Sequence, residues 1–392
     1  MLSDHAPVIV SSEPGSFPRS VFLERHPALI RRVREAFPYG PEHRAALDAL
    51  LDESTGGVIE PLADTAPGRE LWDAWGGREY VGQPWLDVPF LWAESLFYRK
   101  LLDAVGYFAP GPWQGIDPFR PFKLAELRTA EAREELAALD RLTALPADEQ
   151  AAALLHGSLW GNRADLGFRM GAADGAADDG ASPVVVDESD ELWRLLPTGT
   201  PHTVCLVADN AGRELVPDLL LIDHLLRHGR AARVVLHVKP HPYYVSDATT
   251  ADVLDALRHL TGADGAAGAA GDRLWEAMSS GHLLVRAHPF SCAPLPYADM
   301  PADLREDFTR ATVTLLKGDL NYRRLVGDRL WPATTPFAER TGYFPGPVVA
   351  LRTLKSQVVV GLDGTTERAL DATAPDGGWR TAGTHAVIQV RR

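Results

Sequence analysis

From about residue 195 onward the chain alternates short, continuous apolar runs with helical stretches, and no other feature constrains its fold as tightly. The candidate strands are 203–208 (TVCLVA), 233–238 (RVVLHV), 282–287 (HLLVRA), 311–316 (ATVTLL), 347–351 (PVVAL) and 357–361 (QVVVG). Runs of this kind suit strands buried on both faces. Within 213–228, Leu215, Leu219, Ile222 and Leu226 fall on one helical face, and Gly229 then supplies a natural stop. Strands separated by helices imply right-handed crossovers, so the expectation is an α/β fold with a mostly parallel, Rossmann-like sheet.

Before that point the spacing is helical, over 88–105, 129–142 and 147–160. With 392 residues the chain is long for one compact domain. It reads as a mostly helical N-terminal domain over 1–195, covering a cleft, and an α/β domain over 196–392 that binds metal and phosphate. The small, acidic run 170–184 reads as a surface loop or linker, and 261–272 (TGADGAAGAAGD) as a flexible insertion. Lys and Arg number 39 against 53 Asp and Glu, a net charge of −14, which disfavours nucleic acid as a partner. No apolar stretch reaches 18 residues, the start MLSDHAPVIV lacks the look of a signal peptide, and the two cysteines lack CxxC spacing. The expectation is a cytoplasmic protein with no membrane partner. There is no GxxxxGK[ST], no strand followed by GxGxxG and no GxSxG.

In a parallel α/β sheet, ligands bind beyond the carboxyl ends of the strands. There the sequence delivers Asp209 and Asn210; Asp247; Lys317, Asp319, Asn321 and Arg323; and Arg352 and Lys355. Acids and amides are hard oxygen ligands for Mg²⁺, Mn²⁺ or a similar ion, and the bases suit a phosphate. Each also has a plain alternative: Asp209, Asn210 and Asp247 can cap helices, and single lysines are usually solvated. Glu94 sits amid the apolar stripe of Leu91, Tyr98, Leu101 and Val105, where a carboxylate needs a partner such as Arg99, or a task facing the ligand. The polar turn at Trp160, Gly161, Asn162 and Arg163 either lines the same cleft or only shapes a turn.

The strings ADNAGRELVPDLLLIDHLL (208–226), HVKPHPYYVSDAT (237–249), LLKGDLNYRRLVGDRLW (315–331) and ALRTLKSQVVVGL (350–362) resemble the metal-dependent damage-control phosphatases. AESLFYRKLL (93–102) and SLWGNRADL (158–166) are similar to the branch of that family also called acidic-residue methyltransferase. The resemblance implies an α/β/α sandwich with an α-helical N-terminal domain and a divalent ion (Mn²⁺, Mg²⁺, Co²⁺ or Ni²⁺) at the strand ends. It implies Asp209, Asn210 and Asp247 as metal ligands; for a phosphatase the reading adds Asp209 or Asp319 as the base and Lys317 stabilising charge. It implies Glu94, Arg99, Asn162, Asn321, Arg323, Arg352 and Lys355 as substrate contacts. The activity implied is hydrolysis of small phosphorylated metabolites, including fructose 1-phosphate and fructose 6-phosphate. Alternatives are an S-adenosylmethionine-dependent carboxyl methyltransferase, for which the glycine-rich turn is missing, or a member recruited to a specialised pathway. Ser95 stands where the branch often has Cys, Arg213 where it often has an aromatic, and His241-Pro242-Tyr243 where it often has Ile-Pro-Trp.

Overall fold

The structure is a computed structural model that describes residues 6–161, 184–374 and 376–392. Asn162 and nearly all of the 170–184 run lie outside the described residues. Seven strands form one sheet: β1 (Val184–Asp187), β2 (Thr203–Val207), β3 (Arg233–Val238), β4 (Leu283–Ala287), β5 (Val313–Lys317), β6 (Val348–Thr353) and β7 (Ala386–Arg391). Their order is β1-β7-β6-β5-β2-β3-β4. The five strands from β6 to β4 are mutually parallel, whereas β7 is antiparallel to β6 and parallel to β1. The α/β expectation therefore holds.

The chain leaves β2 toward β3 and β4, then returns to place β5 on the other side of β2. The carboxyl ends of β2 and β5 thus flank the topological switch point, where the crossovers diverge and leave a crevice. Around the sheet, the helix Leu215–Arg227 is buried on nearly every side from Leu215 to Leu225, more than one amphipathic stripe predicts. Leu215, Leu219 and Ile222 join Leu206, Leu236 and Leu315 of the strands in one apolar core. Burial of this kind is the main force holding strand and helix together, at roughly 25 cal/mol per Å².

Three expectations are corrected. First, 261–272 is not a flexible insertion: most of it lies in the helix Gly265–Ser279, which follows the helix Thr250–Thr261. A Cβ on Gly268 would stand 2.2 Å from the Ala263 carbonyl oxygen, and one on Gly271 2.5 Å from the Thr261 nitrogen. The glycines are there because two helices pass at backbone contact, a role that composition alone reads as flexibility. Second, 357–361 is not a strand, although Val358, Val359 and Val360 are fully buried. Side chains satisfy its backbone instead: Gln389 Nε2 donates to the Val360 carbonyl at 2.8 Å, and Arg352 donates to that of Val358. The ladder position beside β6 belongs to β7, which the sequence reading did not find; it also missed the four-residue β1.

Third, the division into compact units does not fall at residue 195. One unit comprises Met1–Pro121, His241–Val245 and Pro289–Leu295; the other comprises Phe122–Pro240, Ser246–His288 and Pro296–Arg392. The helices Ala130–Leu142 and Ala147–Trp160 belong to the second unit because Leu139, Leu154 and Leu155 are part of the sheet's own core. In the first unit the helix Phe90–Ala104 is buried almost throughout. There Ser95 accepts a 2.6 Å hydrogen bond from the hydroxyl of Tyr243, so two positions that depart from the family pattern are partners.

Candidate metal and phosphate site

The site is assembled by backbone pairing at the end of β2. The Ala248 N–H donates to the Asp209 carbonyl at 2.9 Å, and the Ala211 N–H to that of Ser246 at 2.6 Å, so 209–211 runs antiparallel to 246–248. This pairing brings Asp209, Asn210 and Asp247 to one place from positions 38 residues apart (247 − 209). Asn210 is oriented on both sides: its Nδ2 donates to Glu214 at 2.9 Å, and its Oδ1 accepts from the Ser246 hydroxyl at 2.6 Å. Thr249, not Asp247, caps the next helix, in a capping box with Asp252. No side-chain cap is made at the turn after Asn210 either. Neither aspartate is therefore explained by capping.

From β5, Gly318 completes the site. Its φ is +83°, and a Cβ there would stand 1.9 Å from Asp209 Oδ2, so the Asp209 carboxylate rests where any side chain would be. Glu214 and Gly318 were both missed as site residues. The signals available were an acid one helical turn after Asn210 and a glycine directly after a strand.

The electrostatics are those of acids crowded against lysines. Burial pushes the Asp209 carboxyl well above its ordinary range, Asp247 and Glu214 push it further, and Lys355 and Lys317 oppose the shift. Asp247 is also raised by burial, against the pull of Lys239, Lys123 and Arg324. Its Oδ2 is buried without a hydrogen bond, 3.4 Å from Lys239 Nζ. Two carboxyls raised side by side favour a further cation beside the lysine already paired with Asp247. Among the described residues no three His, Cys, Asp or Glu side chains converge as a ready cage. Two carboxylates and an amide still suit a hard ion that keeps part of its shell for water or substrate. The residues present fit such an ion.

The remaining expected residues divide sharply. Lys355 is exposed and, among the described residues, its ammonium makes no ion pair. Lys317 is buried, 3.0 Å from Asp218 Oδ1, and bonds the Ser158 carbonyl. Asn321, expected to meet substrate, is 1% exposed; its Nδ2 ties the Ala208 carbonyl (3.0 Å) to that of Lys317 (2.8 Å), and its Oδ1 accepts from Tyr297. It braces the ends of β2 and β5 together. Arg352 is wholly buried, stacked on Tyr322 and bonded to Asp319 at 2.7 Å and Ser356 at 2.9 Å, so it has no face left for a ligand. Asp319 is held in turn by Arg352 and, at 3.0 Å, by Ser356. Arg323 forms a fork with Asp328 at 2.6 and 2.9 Å. In the other unit Glu94 is buried, and Arg99 donates to the Pro67 carbonyl, pairs with Asp103 at 2.5 Å and lies over Phe108.

The damage-control phosphatase ARMT1-like domain matches residues 21–370 of the chain. The chain belongs to the ARMT1-like damage-control phosphatase family. It is 30% identical to damage-control phosphatase ARMT1 of Danio rerio over 427 aligned positions, covering 96% of this chain and 94% of that protein. Against the Rattus norvegicus protein of the same name the identity is 30%, with 98% of each covered. A crystal structure of a DUF89 family protein from Pyrococcus horikoshii matches 90% of this chain and 94% of its own, at 17% identity and a TM-score of 0.48. This chain is thus an enzyme of a hydrolase family that depends on a metal ion. Among the described residues no helix is long and apolar enough to cross a membrane.

Proposed function

We propose that the chain is a metal-dependent phosphomonoesterase for small phosphorylated metabolites, with sugar phosphates of the fructose 1-phosphate and fructose 6-phosphate type as its substrate class. What supports the reading is the Asp209–Asp247 pair at the switch point, its carboxyls both raised by burial despite the ion pair of Asp247 with Lys239, with the exposed Lys355 acting on Asp209. Asp209, Asn210 and Asp247 would hold the ion, Mn²⁺, Mg²⁺, Co²⁺ or Ni²⁺. When bound, such an ion supplies Lewis-acid polarisation of a phosphate oxygen and acidifies a water.

The other parts of the reaction fall to the chain. Lys355 offers an ammonium to the phosphate. Asp209, with its raised proton affinity, suits the taking and returning of a proton better than Asp319, whose carboxylate Arg352 and Ser356 already hold. Asn321, Arg352 and Lys317 act as positioning residues, fixing the strand ends from which the ligands project. Cys205 and Cys292, buried and outside any disulfide among the described residues, fit a reducing, cytoplasmic setting.

The test is phosphate release from a panel of phosphosugars with each of the four ions, against a chelator-treated control. Release that appears only with metal and is strongest on phosphoketoses supports the reading. Equal release after chelation, or none from any phosphosugar, overturns it. Lys355→Gln is expected to raise KM about tenfold with a smaller change in kcat, as for one lost charge-assisted hydrogen bond of roughly 1.5–3 kcal/mol. The wild-type advantage should shrink as salt is added, because the group is exposed.

A further inference from the structure

The helix Arg120–Glu126 touches both chain segments that carry the proposed metal ligands. Beside Asn210, the turn at Gly212 lies against it: a Cβ on Gly212 would stand 2.4 Å from Glu126 Oε2 and 3.1 Å from the Lys123 carbonyl oxygen. Beside the other segment, Lys123 Nζ donates to the Asp247 carbonyl at 3.0 Å and to Asp252 Oδ2 at 2.9 Å. Lys123, Glu126 and both ligand segments belong to the second unit. Lys123 is 4% exposed, and a lysine is seldom buried so fully without specific acceptors.

Service as a counter-ion to Asp252 does not account for where this lysine reaches. Asp252 Oδ2 already accepts the Thr249 N–H at 2.9 Å and the Thr249 hydroxyl at 2.7 Å. A capping box of this kind is complete without a cation. What the lysine adds is a hold on the peptide unit between Asp247 and Ala248. The N–H end of that unit donates to the Asp209 carbonyl at 2.9 Å, and the C=O end accepts from Lys123. A peptide unit is planar, so anchoring both ends fixes the direction in which the Asp247 side chain leaves the backbone.

We propose that Lys123 is a positioning residue of the metal site, anchoring the peptide that carries Asp247 so that its carboxylate faces the same ion as Asp209 and Asn210. The inference rests on the metal assignment above and adds a residue to it. Groups that orient a metal ligand typically change metal affinity about 10–100-fold when they are removed.

The test is a calorimetric titration of Mn²⁺ into the chelator-stripped full chain, with thermal melts of the metal-free proteins alongside. Lys123→Met should bind Mn²⁺ about 10–100-fold more weakly than the wild type. Asp252→Asn breaks the same ion pair from its other end and leaves the lysine on the Asp247 carbonyl. Its Mn²⁺ affinity should stay close to wild type even as its metal-free Tm falls. A purely structural ion pair predicts no such split between the two variants. If the unpaired acid keeps Lys123→Met from folding, the double variant Lys123→Met, Asp252→Asn, which leaves no buried charge alone, is compared with Asp252→Asn, and the same gap in affinity is expected. Wild-type affinity in Lys123→Met, equal losses in the two single variants, or no gap between the double variant and Asp252→Asn overturns the proposal and leaves the metal assignment standing. A wild type that binds no Mn²⁺ overturns both.

Discussion

Asp209→Asn is expected to lower kcat/KM for phosphate release about 10³-fold while making the metal-free protein more stable. The first effect follows from losing a charged ligand and the proposed proton carrier in one change; a single preorganised electrostatic group is typically worth about 10²–10³ in rate. The second follows from the sign of the shift. The folded state raises the Asp209 pKa, through burial first and then Asp247 and Glu214. A carboxyl raised above its unfolded value of about 4 contributes stability below that pH and loses it as pH rises through the folded value. At neutral pH the metal-free wild type therefore carries a cost that the neutral amide lacks. Melts of the two proteins should converge near pH 4 and diverge toward pH 7, with the variant higher. Adding Mn²⁺ should raise the wild type and leave the variant nearly unmoved. A variant less stable than the wild type at every pH would show that the carboxylate is an ordinary structural partner.

Gly318→Ala should be nearly as damaging by a different route. Its φ of +83° is strained for any L side chain, at roughly 1–2 kcal/mol. The added Cβ would also stand 1.9 Å from Asp209 Oδ2 and 2.1 Å from its Cγ, so the carboxylate must move. The expected outcome is a loss of ~3 kcal/mol in denaturant unfolding, the strain plus a steric term of the size seen for overpacking. Phosphate release should fall about 10²-fold even where the protein stays folded. Gly281→Ala, at φ +78° with nothing within 4 Å of its Cβ, controls for backbone strain alone: it should cost stability and leave activity intact. If the two variants behave alike in activity, contact with Asp209 is not what Gly318 provides.

The frame of the second unit was legible in the sequence because parallel strands buried on both faces leave uninterrupted apolar runs. The run 233–238 corresponds to β3 residue for residue. The same signal misled at 357–361, where an equally apolar segment is buried with its backbone served by Gln389 and Arg352 instead of a neighbouring strand. A run of hydrophobic residues reports burial, not ladder partners, and those partners come from residues 29 and 6 positions away. Likewise the glycines of 261–272 could not be told from a flexible loop without knowing that another helix passes at backbone distance. At the site, residue type singled out the aspartates and Asn210 for their oxygen chemistry, and backbone pairing brings Asn210 and Asp247 side by side. Residue type could not show that Asn321 satisfies two buried carbonyls or that Arg352 pairs with Asp319. A polar side chain at a strand end can serve the ligand or the frame, and only its neighbours decide which.

The most direct measurement is a Mn²⁺ titration of the chelator-stripped protein, read by electron paramagnetic resonance of the free ion. Wild type is predicted to bind one Mn²⁺ tightly, and both Asp209→Asn and Asp247→Asn to lose that binding at least a hundredfold while their secondary structure is unchanged. Retention of wild-type Mn²⁺ affinity in either variant would contradict the assignment of these two aspartates to one metal centre.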